Sequence, residues 1–438
     1  MMSNAAVSNA STYVEKPSIL SFNKSTVIVW TAIGLILVET FSGALRFYLD
    51  KAGVSAVLYG PKVLCCLLFL LELRTIKTSK GAWLGLLALV LSILLAMLHG
   101  ATLSNIGFSL FGICPILFGM VCSEHLLHRR RLLLWGVAFC LASSFGGIAL
   151  DKLTSVPWKG YSYTLGDTEL SGNTAWAVDE ADRIAGFARV SNVLSINLAI
   201  GALFVLAFLR SKLLMIALSG VTAVAIVMTT SKAPAAGFVC TLGLLMILRF
   251  HWSARVVMTL AVLMGMILPL ISFLTDFNAG LASSGALSSM YDRLINTWPN
   301  MARGIMDQGW EVTGSGLGAY GSTMALFPIP GVPALGSDNT AMYLWGMFGV
   351  MGLVLFSLQI PMFIALGNDT TRASRALLAI CFCCLLTGWT TDMLEVATAN
   401  LFLGVAMGHV LAGNLSLRQV KSTAKGAHQF FPFVPNPR

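Results

Sequence analysis

The chain has 438 residues, of which 56% are hydrophobic and only 11% charged, with a formal net charge of +9 and a mean hydropathy of +0.80. Soluble globular chains carry roughly 25% charged residues, and apolar surface on this scale cannot be hidden in water. A soluble enzyme, a disordered chain and a DNA-binding domain are excluded, and an all-α polytopic membrane protein is implied.

A polar stretch, the tail 1–25, precedes the first apolar run, so no cleavable signal peptide is expected. A spanning helix needs roughly 20 mostly apolar residues. Runs near 26–48, 53–73, 82–98, 105–122, 132–150 and 184–208 meet that need, as do 213–230, 233–250, 256–275, 339–366, 376–391 and 397–413. About twelve spans are predicted in one membrane domain, 26–413, with a second polar tail at 414–438. With the N-terminus in the cytoplasm, the inner segments hold eighteen of the 28 Lys and Arg residues but four of the 19 acids. This is the positive-inside pattern, so the net charge needs no nucleic acid to explain it. The nine cysteines lie in apolar runs, none with zinc-ligand spacing to histidine, and read as small buried hydrophobes.

Two long segments interrupt the rhythm, about 151–183 and 276–338, and both fall on the outer face. The first is rich in Gly, Ser, Thr and acids; the second holds Trp298, Trp310 and many Gly and Pro residues. Long connections with aromatic content point to function rather than disorder. No separate soluble domain and no internal repeat is expected, which weakens an inverted-repeat transporter.

Ten basic residues lie outside the inner segments. Arg46 and Lys51, beside Asp50, read as snorkelling or paired charges. Arg183, Arg189, Lys232 and Arg293 instead sit at outer span ends or in outer loops beside small polar residues. Converging guanidinium groups hold phosphate oxygens in bidentate fashion and neutralise a diphosphate leaving group. The outer loops contain no His and no carboxylate pair that stands out as a ligand set, so neither a metal nor another cofactor is expected.

Four stretches, in order, resemble the O-antigen polymerase and ligase superfamily of bacterial envelopes, the Wzy-type polymerases and O-antigen ligases. Arg183-Ile-Ala-Gly186 followed by Ser191-Asn192 is similar to the family's Arg-x-x-Gly-x4-Pro-Asn entry into a helix, with Ser191 in place of Pro. Thr230-Ser231-Lys232-Ala233 resembles a Ser-Arg-Gly turn. Asp292-Arg293-Leu294 with Trp298, then Gly314-Ser-Gly316-Leu-Gly318-Ala-Tyr320, resembles the large outer loop. Asp338-Asn339-Thr-Ala-Met-Tyr343 resembles a His-Asn start of the next span. Together the stretches cover about 180–360.

The resemblance implies a glycosyltransferase-C-like membrane enzyme. Its donor and acceptor would be undecaprenyl-diphosphate-linked oligosaccharides at the outer face of the inner membrane, joined with inversion and without metal. A chain-length-regulating co-polymerase is an implied partner. Arg183 and Arg293 match the family's arginines and are assigned to the diphosphate. Arg189 lies three residues before Asn192, one helical neighbour away. Asp338, where ligases carry His, is assigned to the acceptor hydroxyl, a role open to a carboxylate. That departure favours a polysaccharide polymerase over an O-antigen ligase; a transporter or flippase of lipid-linked saccharide is the alternative from another class. Asn192, Lys232, Asn339, Gly316, Gly318, Tyr320 and Trp298 complete the candidate substrate-binding set.

Each also has a plainer role. Gly316 to Gly321 reads formally as GxGxxG, but no βαβ unit surrounds it, and its glycines make turns or bring N–H groups near a ligand. Asn339 is placed to cap a helix, Lys232 to mark an outer turn, and Trp298 to anchor at the membrane interface.

Overall fold

A computed structural model describes residues 23–73, 80–165, 168–173, 177–178, 181–274, 287–333 and 336–427. The ends of both predicted tails, the inner-loop Arg74 and Lys77, and the loop acids Asp167, Asp179 and Glu180 lie outside the described residues.

The architecture is a helical bundle, consistent with an all-α membrane protein. Seven helices among the described residues are long and apolar enough to cross a membrane, or eight if one bent pair forms a single span. In chain order the first are α1 Lys24–Thr40, α2 Ser42–Lys51, α3 Gly60–Leu73, α4 Lys80–Leu98, α5 Leu103–His128 and α6 Arg130–Leu153. After two short antiparallel ladders between 162 and 182 come α7 Ser191–Phe208, α8 Lys212–Met228, α9 Lys232–Ile247 and α10 His251–Ile267. Short helices α11 Ile271–Leu274, α12 Ser288–Asp292, α13 Trp298–Asp307 and α14 Ser322–Leu326 follow. A broken helix, α15 Thr340–Phe348, α16 Val350–Ser357 and α17 Gln359–Asn368, precedes α18 Arg372–Thr387 and α19 Ala397–Ala427.

Helix α7 sits at the centre, with 72% of its window buried, whereas α4 is the outlier at 17%. Contact between α5 and α19 is made backbone to backbone. A Cβ added at Gly404 would fall 2.1 Å from Ile116 O, and one at Gly408 2.1 Å from Met120 O. Small residues on one face are what let helices approach this closely where lipid offers no hydrophobic drive.

One end of the bundle carries Glu72, salt-bridged to Lys24 at 2.6 Å and facing His125 at 3.7 Å. The long connections gather at the other end, called the loop end below.

Two predicted spans are corrected. The run 26–48 is not one helix: α1 and α2 meet at Phe41 with an 86° bend. The bend is held from outside, because the N–H groups of Gly43 and Ala44 donate to Phe187 O at 2.9 and 3.2 Å. The run 184–208 is helical only from Ser191. Asp151 Oδ2 takes the N–H groups of Ala185 and Gly186, each at 3.0 Å, and so holds that apolar segment as a loop.

Candidate functional site

The centre of the loop end is the chain entering α15. Asn339 is its N-cap: Oδ1 accepts the Met342 N–H at 2.9 Å. The side-chain amide donates to Gly265 O at 3.2 Å and to Trp389 O at 3.0 Å. Both donors and the acceptor are thus taken, and Asn339 is fully buried. Its expected contact with substrate gives way to the cap, because no polar group of the side chain is left over.

Asp338, one residue earlier, has φ +45°; it and Thr230 are the two non-glycine residues with positive φ among the described residues. Aspartate tolerates this region at a cost of about 1 kcal/mol, and such strain persists where surroundings impose it. The carboxylate is half exposed and stands 3.1 Å from the Arg293 guanidinium. Arg293 opens a π-helical turn, Arg293–Thr297, a rare geometry that recurs at functional sites. Its second anchor is Ser289 O, 2.8 Å from Nη1, while its buried Nε has no partner among the described residues. Structure therefore brings together the two residues that sequence assigned to leaving group and nucleophile.

Beneath this pair runs the connection 388–396, which sequence reasoning left outside the site. Asp392 Oδ1 accepts from the Ser337 hydroxyl, and also from the Asn339 N–H at 3.2 Å. Asp392 Oδ2 accepts the Asp338 N–H at 3.3 Å. Withdrawal from water, followed by the charge of Glu395, pushes the Asp392 carboxyl up to about 7. Glu395 accepts the Ser322 N–H at 3.0 Å, and the Thr340 N–H donates to Gly388 O at 2.8 Å. No local signal marks Asp392, since its partners lie 53–55 positions away.

The glycine-rich loop packs against helices. A Cβ on Gly316, at φ +88°, would sit 2.3 Å from Ala96 N; one on Gly318 would sit 2.8 Å from the Asn105 carbonyl carbon. Both glycines rivet the loop to α4 and α5. Trp298 is fully buried and Tyr320 nearly so, at 0% and 3% exposure. They share a second hydrophobic cluster with Met301 and Tyr343. Neither ring has a face open to a sugar here, and Trp298 is a core residue rather than an interfacial anchor, because the inward face of α13 carries it into the cluster. His99 stacks on Trp310 at 5.0 Å and bonds Ser315 O at 2.8 Å.

The other expected cations form a separate group. Arg189 Nε donates to Ser171 O at 3.0 Å, and its own N–H donates to Ser42 Oγ at 3.0 Å. Arg183 is half-buried, with a buried Nε that has no hydrogen-bond partner among the described residues. Asn192 lies in the first turn of α7, partly exposed. Lys232 begins α9 and is exposed, two residues after the strained Thr230. Among the described residues no hydrogen bond or ion pair joins Arg183 or Arg189 to Arg293. The charges of Lys62 and Arg189 act on the buried carboxylate of Glu39, near the end of α1.

A cleft of about 1590 Å³ lies between α4 and α5 on one side and α15 to α19 on the other. Its walls are apolar, with Leu89, Ile116, Met120, Phe356 and Met407 among them. At the loop end it finishes at Leu317, Thr340 and Met393, the chain neighbours of Gly316, Asn339 and Asp392. At the far end it reaches His128, Arg130, Asp369 and His409. A large apolar cavity with a few converging polar groups is the usual form of a binding site. Compared with family models and with curated proteins, the chain matches none.

Proposed function

We propose that the protein is a membrane glycosyltransferase that polymerises undecaprenyl-diphosphate-linked oligosaccharide repeats at the outer face of the bacterial inner membrane. In this reading the chain crosses the membrane twelve times in a glycosyltransferase-C-like frame, with both termini cytoplasmic. The eight longer spans are completed by 212–228, 232–247, 372–387 and 397–413. The loop end then faces outward, and the end carrying Lys24 and Arg130 faces the cytoplasm, in keeping with the positive-inside pattern.

One observation carries the proposal: the Arg293–Asp338 pair is 3.1 Å apart, and Asp338 stands two positions before Thr340, which lines an apolar cleft of about 1590 Å³. A polyprenyl tail fits such walls, and its diphosphate would arrive at the guanidinium. A diphosphate offers Arg293 a doubly charged, bidentate partner in place of one carboxylate oxygen. Donor binding thus frees Asp338 to accept a proton. The acceptor hydroxyl oxygen then attacks the anomeric carbon from the face opposite the leaving group. The bond from that carbon to the diphosphate oxygen breaks, its electron pair leaves with the lipid diphosphate, and the hydroxyl proton passes to Asp338. Arg293, with Arg183 and Arg189 approaching from the first loop, offsets the charge that develops on the leaving group.

The apolar middle of the cleft argues against a flippase, which would need polar groups along a path for the sugar. The test uses purified protein in nanodiscs with a lipid-linked repeat unit and EDTA. A product ladder spaced by one repeat supports the polymerase. Transfer only after a lipid A core is added makes the protein a ligase. No transfer to either, together with movement of the lipid-linked saccharide across a bilayer, overturns the enzyme reading.

A further inference from the structure

We infer that Asp392 is a positioning residue of this site: its carboxylate, reached from a connection 53–55 positions along the chain, holds Ser337, Asp338 and Asn339 in the turn that aims Asp338 at Arg293. The inference rests on the proposed transferase only for what the turn is used for, and not for the turn itself.

Three hydrogen bonds from three consecutive residues converge on one carboxylate. The donors at Asp338 and Asn339 are backbone N–H groups just ahead of a helix, where no intrahelical acceptor serves them. Next to them the Asn339 cap and the Thr340 N–H bond to Gly388 O close the helix start. The one residue of this turn with a half-exposed carboxylate is also the one forced to φ +45°. Asp338 gains nothing local from that conformation. It is imposed by its neighbours' bonds to Asp392, and its outcome is a carboxylate held 3.1 Å from Arg293. Asp392 makes no contact with Arg293, so its part is played through Asp338.

The groups facing Asp392 are Glu395 on its own connection, Ser337 and Asp338 on the turn, Tyr320 from the glycine-rich loop and Tyr343 from α15. Among the described residues none of these groups is a cation, so the carboxylate meets hydrogen-bond donors rather than a counter-ion.

The test compares wild type with Asp392→Asn and Asp392→Glu in nanodiscs, by amide exchange of peptides covering 336–343 and by transfer from a lipid-linked repeat unit. Asp392→Asn is expected to speed exchange in this segment about tenfold at pH 8, the effect of losing a hydrogen bond to a charged acceptor. It should lower kcat with little change in KM, while Asp392→Glu partly restores both readouts. Unchanged exchange in Asp392→Asn, or a kcat equal to that of wild type, overturns the inference. If wild-type protein transfers nothing, the proposed function fails by itself, and the exchange measurement still decides the role of Asp392.

Discussion

A side chain on Gly316 would place its Cβ 2.3 Å from the backbone nitrogen of Ala96, closer than any real Cβ contact. With φ +88° as well, the position admits glycine alone without strain. Gly316→Ala is therefore expected to cost about 2 kcal/mol or more, by pushing the loop off α4. Thermal unfolding in nanodiscs checks this, and a melting temperature within a degree of wild type would refute it.

Removal of the Arg293 guanidinium takes away the cation that stands 3.1 Å from Asp338. Arg293→Ala is expected to lower transfer by roughly 10²–10³-fold, the scale of losing one charge-stabilising donor. Arg293→Lys should recover only a small part, since an ammonium cannot make the bidentate contact. Product ladders, read at matched protein abundance, measure both variants. Full chain growth by Arg293→Ala would remove Arg293 from the diphosphate.

At Asp338, stability and activity should respond separately. Asp338→Gly relieves the φ +45° backbone and is expected to change stability by only about 0.5 kcal/mol in either direction, the relief offset by extra freedom in the unfolded chain. Transfer should nevertheless fall to background. Asp338→Asn keeps the strain and should be equally inactive. A thermal scan paired with the transfer assay separates the two effects.

Stability should also respond to pH through Asp392. Its folded-state pKa of about 7 lies above the ordinary value of 3.8, so between those values the native protein binds more protons than the unfolded chain. Its contribution is fully present below pH 4 and is lost as pH rises through 7. The stability of wild type relative to Asp392→Asn is thus expected to fall from pH 4 to pH 7.5. A flat difference across that window would show that the group does not titrate there.

Hydropathy made most of the helices legible, because a run of some twenty apolar residues has few other fates. It failed where contacts distant in sequence overrule a local pattern. Phe41 lies inside the predicted span 26–48, and contacts from far along the chain, the Phe187 carbonyl and the Arg189 N–H, turn the helix there. Ile184 to Ala188 reads as the start of a span, and Asp151, Trp158 and Asn173 hold it as a loop. Within the site, Arg293 was visible as a cation where the membrane pattern predicts few, and Asp338 through the resemblance, in the place before Asn339. That they face each other was not, since 44 residues intervene. Asp392 was visible only as an acid between two spans, because its meaning lies in three donors on another segment. Trp298 shows the opposite error: a ring expected at the interface is the centre of a small core.

The nine residues from Gly388 to Val396 serve as the keystone of the loop end. On one side they hold the turn before α15 through Asp392 and take the Ser322 N–H through Glu395. On the other they lead into α19 at Ala397. The glycine-rich loop and the turn before α15 are thus indexed to one short connection. An inserted residue here would shift both halves of the site at once, whereas the same insertion near Gly331, where even a Cβ meets nothing within 4 Å, would be absorbed.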